Sequence, residues 1–380
     1  MEAFKIKNGI SATRYLGSNG TETAGSVGYD LAGASYDSVS FSVSSQATFS
    51  YSLAFNADGT KVYVVGLLSA SVFQYSLSTA FDISTASYDS VSFNFSAQDV
   101  DGNMYKVVFK GDGTKMYLLS VTNDSVFQYS LSTAFDLSTA SYDSVSFNVT
   151  SQDGIPVSLA FNNDGTKMYI LGNANDSVYQ YSLSTAFDVS TASYDSVSFS
   201  VAAQENQPFI MALSSDGTKM YIAGATNKSI FQYGLSTAYD LSTASYDSVS
   251  FGLSSQDSAP QDIVFNSDGA KMYMIGDAND TIYQYSTVGY TQTLDLSTGT
   301  TFSFTPSGAT TVSFTNPPAS GNAIGFSVEV VGDGSAITWP SSVKWHGGAA
   351  PTATASKELY VFVSTDGGTT YYGRKAGSFQ

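Results

Sequence analysis

The chain has 380 residues, room for two domains with cores of their own, and its 32 acidic against 15 basic residues give a net charge of −17. That balance repels phosphate backbones and anionic lipid, and the absence of cysteine excludes disulfides, thiolate catalysis and Cys-ligated metal. Charged residues are only 12% of the chain, so Ser, Thr, Asn and Gly must dress the surface, as in exposed β proteins.

Residues 1–34 open with MEAFKIKNGISATRYLGSNG, which has no apolar h-region and no small-residue cleavage site. No signal peptide is expected, and the chain would be made in a cytoplasm. No stretch approaches the ~20 apolar residues of a membrane span. Neither nucleic-acid binding nor membrane insertion is expected. The Ser/Gly-rich, unrepeated composition of 1–34 predicts an extended anchor ordered by a partner.

From residue 35 the chain repeats. DG(T/A)K recurs at Asp58, Asp112, Asp164, Asp216 and Asp268, and (F/Y)QY at Gln74, Gln128, Gln180, Gln232 and Gln284, with spacings of 54, 52, 52 and 52. The extra two residues fall between Gln98 and Asp112. Each unit holds four period-2 strand signals. In one unit they are VSLAFN (157–162), KMYILG (167–172), SVYQYSLS (177–184) and SVSFSV (196–201). An Asp-Gly hairpin signal separates the first two. No helix is evident. Four antiparallel strands per unit at even spacing predict propeller blades rather than a solenoid. The first three strand signals occur as five sets, beginning near 51, 105, 157, 209 and 261. The fourth signal, YDSVSF, first appears at 36–41, ahead of every set. A five-bladed β-propeller over 35–287 is therefore expected. Its ring should be closed by an N-terminal outer strand, 36–43, pairing with 281–286, which removes an exposed sheet edge.

Strand alternation puts the DG(T/A)K and STAFDLSTASYD loops on one face, nearly invariant between units. The loops after the second and fourth strands share the other face and differ in almost every unit. The variable face is the candidate partner surface. Its residues are Gln46, Gln98, Asp99, Asp101, Gln152, Asp153, Gln204, Glu205, Gln256 and Asp257 on one loop set. Asn123, Asp124, Asn175, Asp176, Asn227, Asn279 and Asp280 lie on the other. Asp99, Asp153, Glu205 and Asp257 recur at one position, broken by Ala47, and could hold a hard cation such as Ca²⁺ at a channel mouth. Asx-type turns are the simpler reading, and no metal or cofactor is assigned. The recurring Gln of FQY reads as a hydrogen-bonding filler between blades, and the DG(T/A)K lysines as solvation of the turn.

After Tyr285 the rhythm stops. Residues 288–380 carry about eight short strand signals punctuated by Asp333-Gly334, Gly347-Gly348 and Asp366-Gly367, which predict a β-sandwich or jelly-roll. His346, Trp339, Trp345 and Arg374 lie here, and a lone His beside a Trp reads as packing.

FTNPPASG, ITWPSSVKW and DGGTTYYG in this region resemble the β domain that ends many tailed-phage virion proteins. FKIKNGISATRYLGSNG is similar to the opening of phage tail-fibre-like proteins, and STAFDLSTASYDSVSF to repeats of marine-phage structural proteins. The resemblance touches all three regions and implies a virion component of the tail or its fibres, often oligomeric, with a trimer by analogy. Residues 1–34 or the C-terminal domain would dock on other virion proteins, and the propeller would meet a host glycan or receptor. A head-decoration or tail structural role without receptor binding is the alternative. A secreted bacterial adhesin is disfavoured by the missing export signal. An enzyme is disfavoured because the propeller has no His and no Arg, and Glu205 is its one Glu. A retaining glycosidase degrading capsule would have to run on a carboxylate pair ~5 Å apart.

Overall fold

The computed structural model describes residues 4–5, 11–12, 22–24, 29–287, 290–306, 310–332 and 337–379, without side chains before residue 29. The chain divides into two units, Tyr36–Thr287 and the remainder. The first is a five-bladed β-propeller of four-stranded antiparallel sheets.

Four blades are continuous in sequence. The third, for example, runs Pro156–Phe161, Lys167–Gly172, Ser177–Leu183 and Ala192–Ser200 from axis to rim. The fifth takes Pro260–Phe265, Lys271–Gly276 and Thr281–Ser286, and is completed by Ser35–Ser42 from the other end of the repeat region. The Val43 amide donates to the Asp280 carbonyl, and Tyr36 packs against Tyr285 with ring centroids 5.5 Å apart. The expected closure is therefore present. The innermost strands touch their neighbours in a closed ring, 260–265 against 50–55 included.

The strands form where the sequence is apolar on both faces, because each blade is packed between two others. In Lys167–Gly172 every residue after the lysine is buried. The outer strands differ. They begin about four residues before the expected 196 and alternate half-buried Val197 and Phe199 with exposed serines. The register jumps between Gln180–Val197 and Tyr181–Tyr194. The two extra residues, Asp195 and Ser196, form a bulge with Ser196 at φ 59°. Before each outer strand lies a 3-10 turn that periodicity does not reveal, such as Val189–Thr191, capped by the Asp188 side chain accepting from the Ser190 amide. The same turn recurs at Leu31–Gly33 under Asp30, so the repeat reaches further back than the expected boundary at 35.

The second unit has a four-stranded and a five-stranded sheet, besides the short antiparallel pair of Phe4–Lys5 with Ser11–Ala12. Leu294 and Val312 of the first and Phe326, Val328, Tyr360 and Phe362 of the second share one core, as a sandwich requires. Several of its pairings are parallel, including Tyr290–Asp295 with Thr310–Thr315. Glu22–Ala24 pairs antiparallel with Tyr290–Asp295. The 1–34 segment, expected to be extended, thus lends a strand to this unit; most of its other residues, and Asp333-Gly334, lie outside the described residues.

Candidate binding face

The invariant face is consumed by architecture. Gly165 sits at φ 71°, and a Cβ there would lie 2.2 Å from the Phe187 ring, so the DG turn and the STAF loop require each other. The Tyr117 hydroxyl of the preceding blade donates to the Phe187 carbonyl at 2.5 Å. Gln128 bridges the same two blades. Its Oε1 accepts from the Val189 amide at 3.1 Å, and its Nε2 donates to Asp143 at 2.9 Å. The filler role expected for this Gln holds. The lysines need correction, because they do not simply solvate the turn. Lys61, Lys115, Lys167, Lys219 and Lys271 pair with the bulged Asp89, Asp143, Asp195, Asp247 and Asp37 at 2.6–3.3 Å.

On the variable face the four recurring carboxylates are 0–2% exposed. Asp153 accepts from the amides of Ile155, Ala174 and Asn175 at 2.9–3.1 Å. Glu205 accepts from Gln207, Thr226 and Asn227 at 3.0–3.3 Å. Asp257 accepts from Ala259 and Asn279, and Asp99 from the Asp101 amide and the Ser120 hydroxyl. Asp153, Glu205 and Asp257 each staple two loops of their own blade and fill space left by Gly172, Gly224 or Gly276; a Cβ on Gly172 would lie 2.1 Å from Asp153, whereas Asp99 meets Ser120 at that position. Among the described residues no three acidic or imidazole groups gather as a metal site. The Asx-type reading of these four residues holds, and as buried loop staples they are corrected as partner contacts. Glu205 has both oxygens engaged and offers no open carboxylate for glycoside chemistry.

The glutamines also look inward. Gln46, Gln98, Gln152, Gln204 and Gln256 accept from the hydroxyls of Tyr75, Tyr129, Tyr181, Tyr233 and Tyr285 at 3.1–3.4 Å. Asn123, Asn175, Asn227 and Asn279 are exposed, but their amides donate back to the carbonyls of those glutamines. Asp124, Asp176 and Asp280 hold the left-handed turn at φ 45–48°. Burial, with Asp153 and Glu205 nearby, pushes the Asp176 carboxyl up. Asp101 is exposed.

Beside these polar groups, four large apolar side chains face outward. Phe49, Leu68, Val100 and Ile155 are 49%, 71%, 88% and 43% exposed, and they are the large exposed hydrophobics of the propeller among the described residues. All four lie on the variable face, on loops of the first three blades. Phe49 and Ile155 occupy one position, where the fourth and fifth blades carry Gln207 and Ala259; in each, the residue's carbonyl accepts the first amide after the second strand. Phe49 stands at φ 55°, a strained conformation for a bulky residue and one that clusters at functional sites. Val100 belongs to the one insertion. Attention to polar recurrence passes over these residues; asking which loop positions turn apolar in some units and not in others finds them.

The channel is shut. One inner-strand position holds Ser52, Lys106, Ser158, Ile210 and Asp262 in the successive blades, all buried. Lys106 and Asp262, from non-adjacent blades, meet at 2.5 Å. Ser52 and the Leu53 amide donate to Asp262 at 2.7 and 3.1 Å. A hollow of about 300 Å³ remains on the invariant side, lined by Phe55, Phe81, Lys106, Phe109 and Phe265 among others.

No family model matches the chain, and neither does any curated protein. Among solved structures it is similar to a Bacteroides uniformis protein provisionally assigned as a 6-phosphogluconolactonase, with 13% identity and a TM-score of 0.40 over 62% of this chain and 65% of that one. The β-propeller domain of Myceliophthora thermophila Cps50 (Swd1) gives 12% identity and a TM-score of 0.38 over 62% of this chain and 82% of the other. The chain thus matches just under two thirds of the length of the first protein.

Proposed function

We propose that this chain is a non-enzymatic virion protein of the phage tail-fibre type, whose propeller presents its variable face to a protein on the host surface. The observation that carries the reading is the contrast between the faces. One is spent on contacts within and between blades, and the other exposes Phe49, Leu68, Val100 and Ile155 on loops of the first three blades. Large exposed apolar groups rimmed by polar loops mark interaction surfaces. The virion assignment is supported by the resemblance of FTNPPASG, ITWPSSVKW and DGGTTYYG to phage C-terminal domains. Other virion proteins would dock through residues 1–34 or the C-terminal unit. The shut channel and the engaged Glu205 weigh against an enzyme. Antibody labelling of purified particles tests the assignment. Label at the tail is expected; label over the capsid favours a decoration protein, and none on the particle refutes both.

A further inference from the structure

Charge is divided unevenly along the chain. The propeller, Tyr36–Thr287, holds 24 of the 32 acidic residues and 8 of the 15 basic ones, which leaves the rest close to neutral. Within that second unit, one open sheet surface is locally cationic. Strand register places its side chains in rows, because directly paired residues share a face. Lys344, Tyr372, Val363 and Gly325 form one row across four strands of the five-stranded sheet. Arg374, Val361, Ser327 and Thr301 form the next, about 7 Å along. The opposite surface of these strands, with Tyr360, Phe362 and Tyr371, is the buried one. Lys344 and Arg374 are exposed, Tyr372 is 61% exposed and Val363 48%. Lys357 lies on the same face, paired with Glu329 at 3.2 Å.

We infer that this face binds a carboxylate-bearing polysaccharide, at a site separate from the propeller surface. Three features select that ligand. The exposed Tyr372 ring offers a π face against which the C–H bonds of a pyranose can lie. Arg374, two residues on and on the same side, presents a fork that suits a carboxylate, with Lys344 as a second cation on the other side of the ring. The rest of the floor is Val363 and Val361 beside these groups and then Gly325, Ser327 and Thr301, a strip without bulky side chains whose two hydroxyls can meet a polyhydroxylated chain. Single-stranded nucleic acid would use successive aromatic platforms, whereas the two exposed rings on this face, Tyr372 and Phe379, stand three rows apart. The inference does not rest on the virion reading.

The test is binding of the full chain to immobilised alginate, with dextran, polyglutamate and oligo-dT in parallel. Saturable binding to alginate alone is expected, weakened about tenfold or more by Arg374→Ala and by Tyr372→Ala. Lys110→Ala, a cation lost from the propeller, should leave it unchanged. Unaltered melting temperatures of the variants confirm that they fold. Absence of alginate binding, equal binding to dextran, polyglutamate or oligo-dT, or full binding by Tyr372→Ala each overturns the proposal.

Discussion

At the rim of the propeller one network is built five times; at the axis one strand position is filled four different ways. The rim network joins a bulged Asp to a Lys, a Gln and, in several blades, a Ser, as Asp89 does to Lys61, Gln74 and Ser76 at 2.8–3.0 Å. The axial layer has Ser52, Lys106, Ser158, Ile210 and Asp262, and a single ion pair. The difference follows from geometry. These contacts lie within one blade and the same Gln reaches the next, as Gln74 does in accepting from the Leu137 amide, so a solution that works once works five times. At the axis all five blades converge on one small space. Five lysines would repel, five aspartates would repel, and five large apolar groups would collide. One cation, one anion and three smaller neutral groups fit. Repetition therefore reports on contacts within a blade and between neighbours, and its breakdown marks where non-neighbours meet.

The sharpest way to break this contrast is at the axis. Asp262→Ala strands the Lys106 ammonium in a buried site, and a loss of about 3–5 kcal/mol is expected in urea unfolding. The double change Lys106→Met with Asp262→Leu should recover most of it, because a buried pair replaced by apolar groups is often neutral or better. If the single change costs as little as a surface substitution, Lys106 is not confined at the axis as the 2.5 Å contact indicates.

At the rim the most demanding repeated contact is steric. Gly165→Ala would force a methyl against the Phe187 ring at a left-handed φ of 71°. A cost above about 1 kcal/mol is expected, read as a lower urea midpoint. The equivalent change at Gly217, under Tyr239, should match it, since the site is the same; unequal costs would show that the blades are not interchangeable even at the rim.

These two regions also explain what the sequence reveals. The blade count, the closing strand and the FQY glutamine were all legible, because each depends on contacts made five times. The axial ion pair was hidden, since Lys106 and Asp262 stand inside otherwise apolar strands, MYKVVF and PQDIVF, and nothing local says that they meet. The carboxylates at Asp99, Asp153, Glu205 and Asp257 were legible as Asx-type turns, but not as buried groups withdrawn from the partner face. Recurrence at a loop position marks a shared local role, and each carboxylate satisfies its own loop's amides. In the second unit, short unrepeated strands gave no internal copy to compare. The sandwich was expected, but its parallel pairings were not.

Acid offers a milder test of the rim. Burial would raise Asp89, Asp143 and Asp195, but hydrogen bonds from the neighbouring Gln, Ser and Lys side chains more than reverse it and hold all three below the ordinary carboxylate range. Asp112 is held at about 2 by Lys110 and Thr114. A folded pKa below the unfolded value of about 3.9 means that the unfolded chain takes up protons first. This contribution is complete above about pH 5 and is lost as the pH falls through the folded values, so stability should drop between about pH 4 and 2. Asp143→Asn should cost about 1 kcal/mol at pH 7 and make that drop shallower. Equal acid sensitivity in the variant would remove the rim pairs as its cause.

The smallest expected effect on stability carries the most functional weight. Val100→Ser and Leu68→Ser change side chains that are 88% and 71% exposed, so both should leave the urea midpoint within about 0.5 kcal/mol of the parent. If the variable face meets a host protein through these apolar side chains, the same changes should weaken adsorption of the protein to host cells by about tenfold or more, as truncating interface anchors does. Ser215→Ala on the invariant face should leave adsorption intact. Unchanged adsorption by both apolar variants would mean that these side chains are not the contact, and the contrast between the faces would then reflect only the drift of loops free of inter-blade duty.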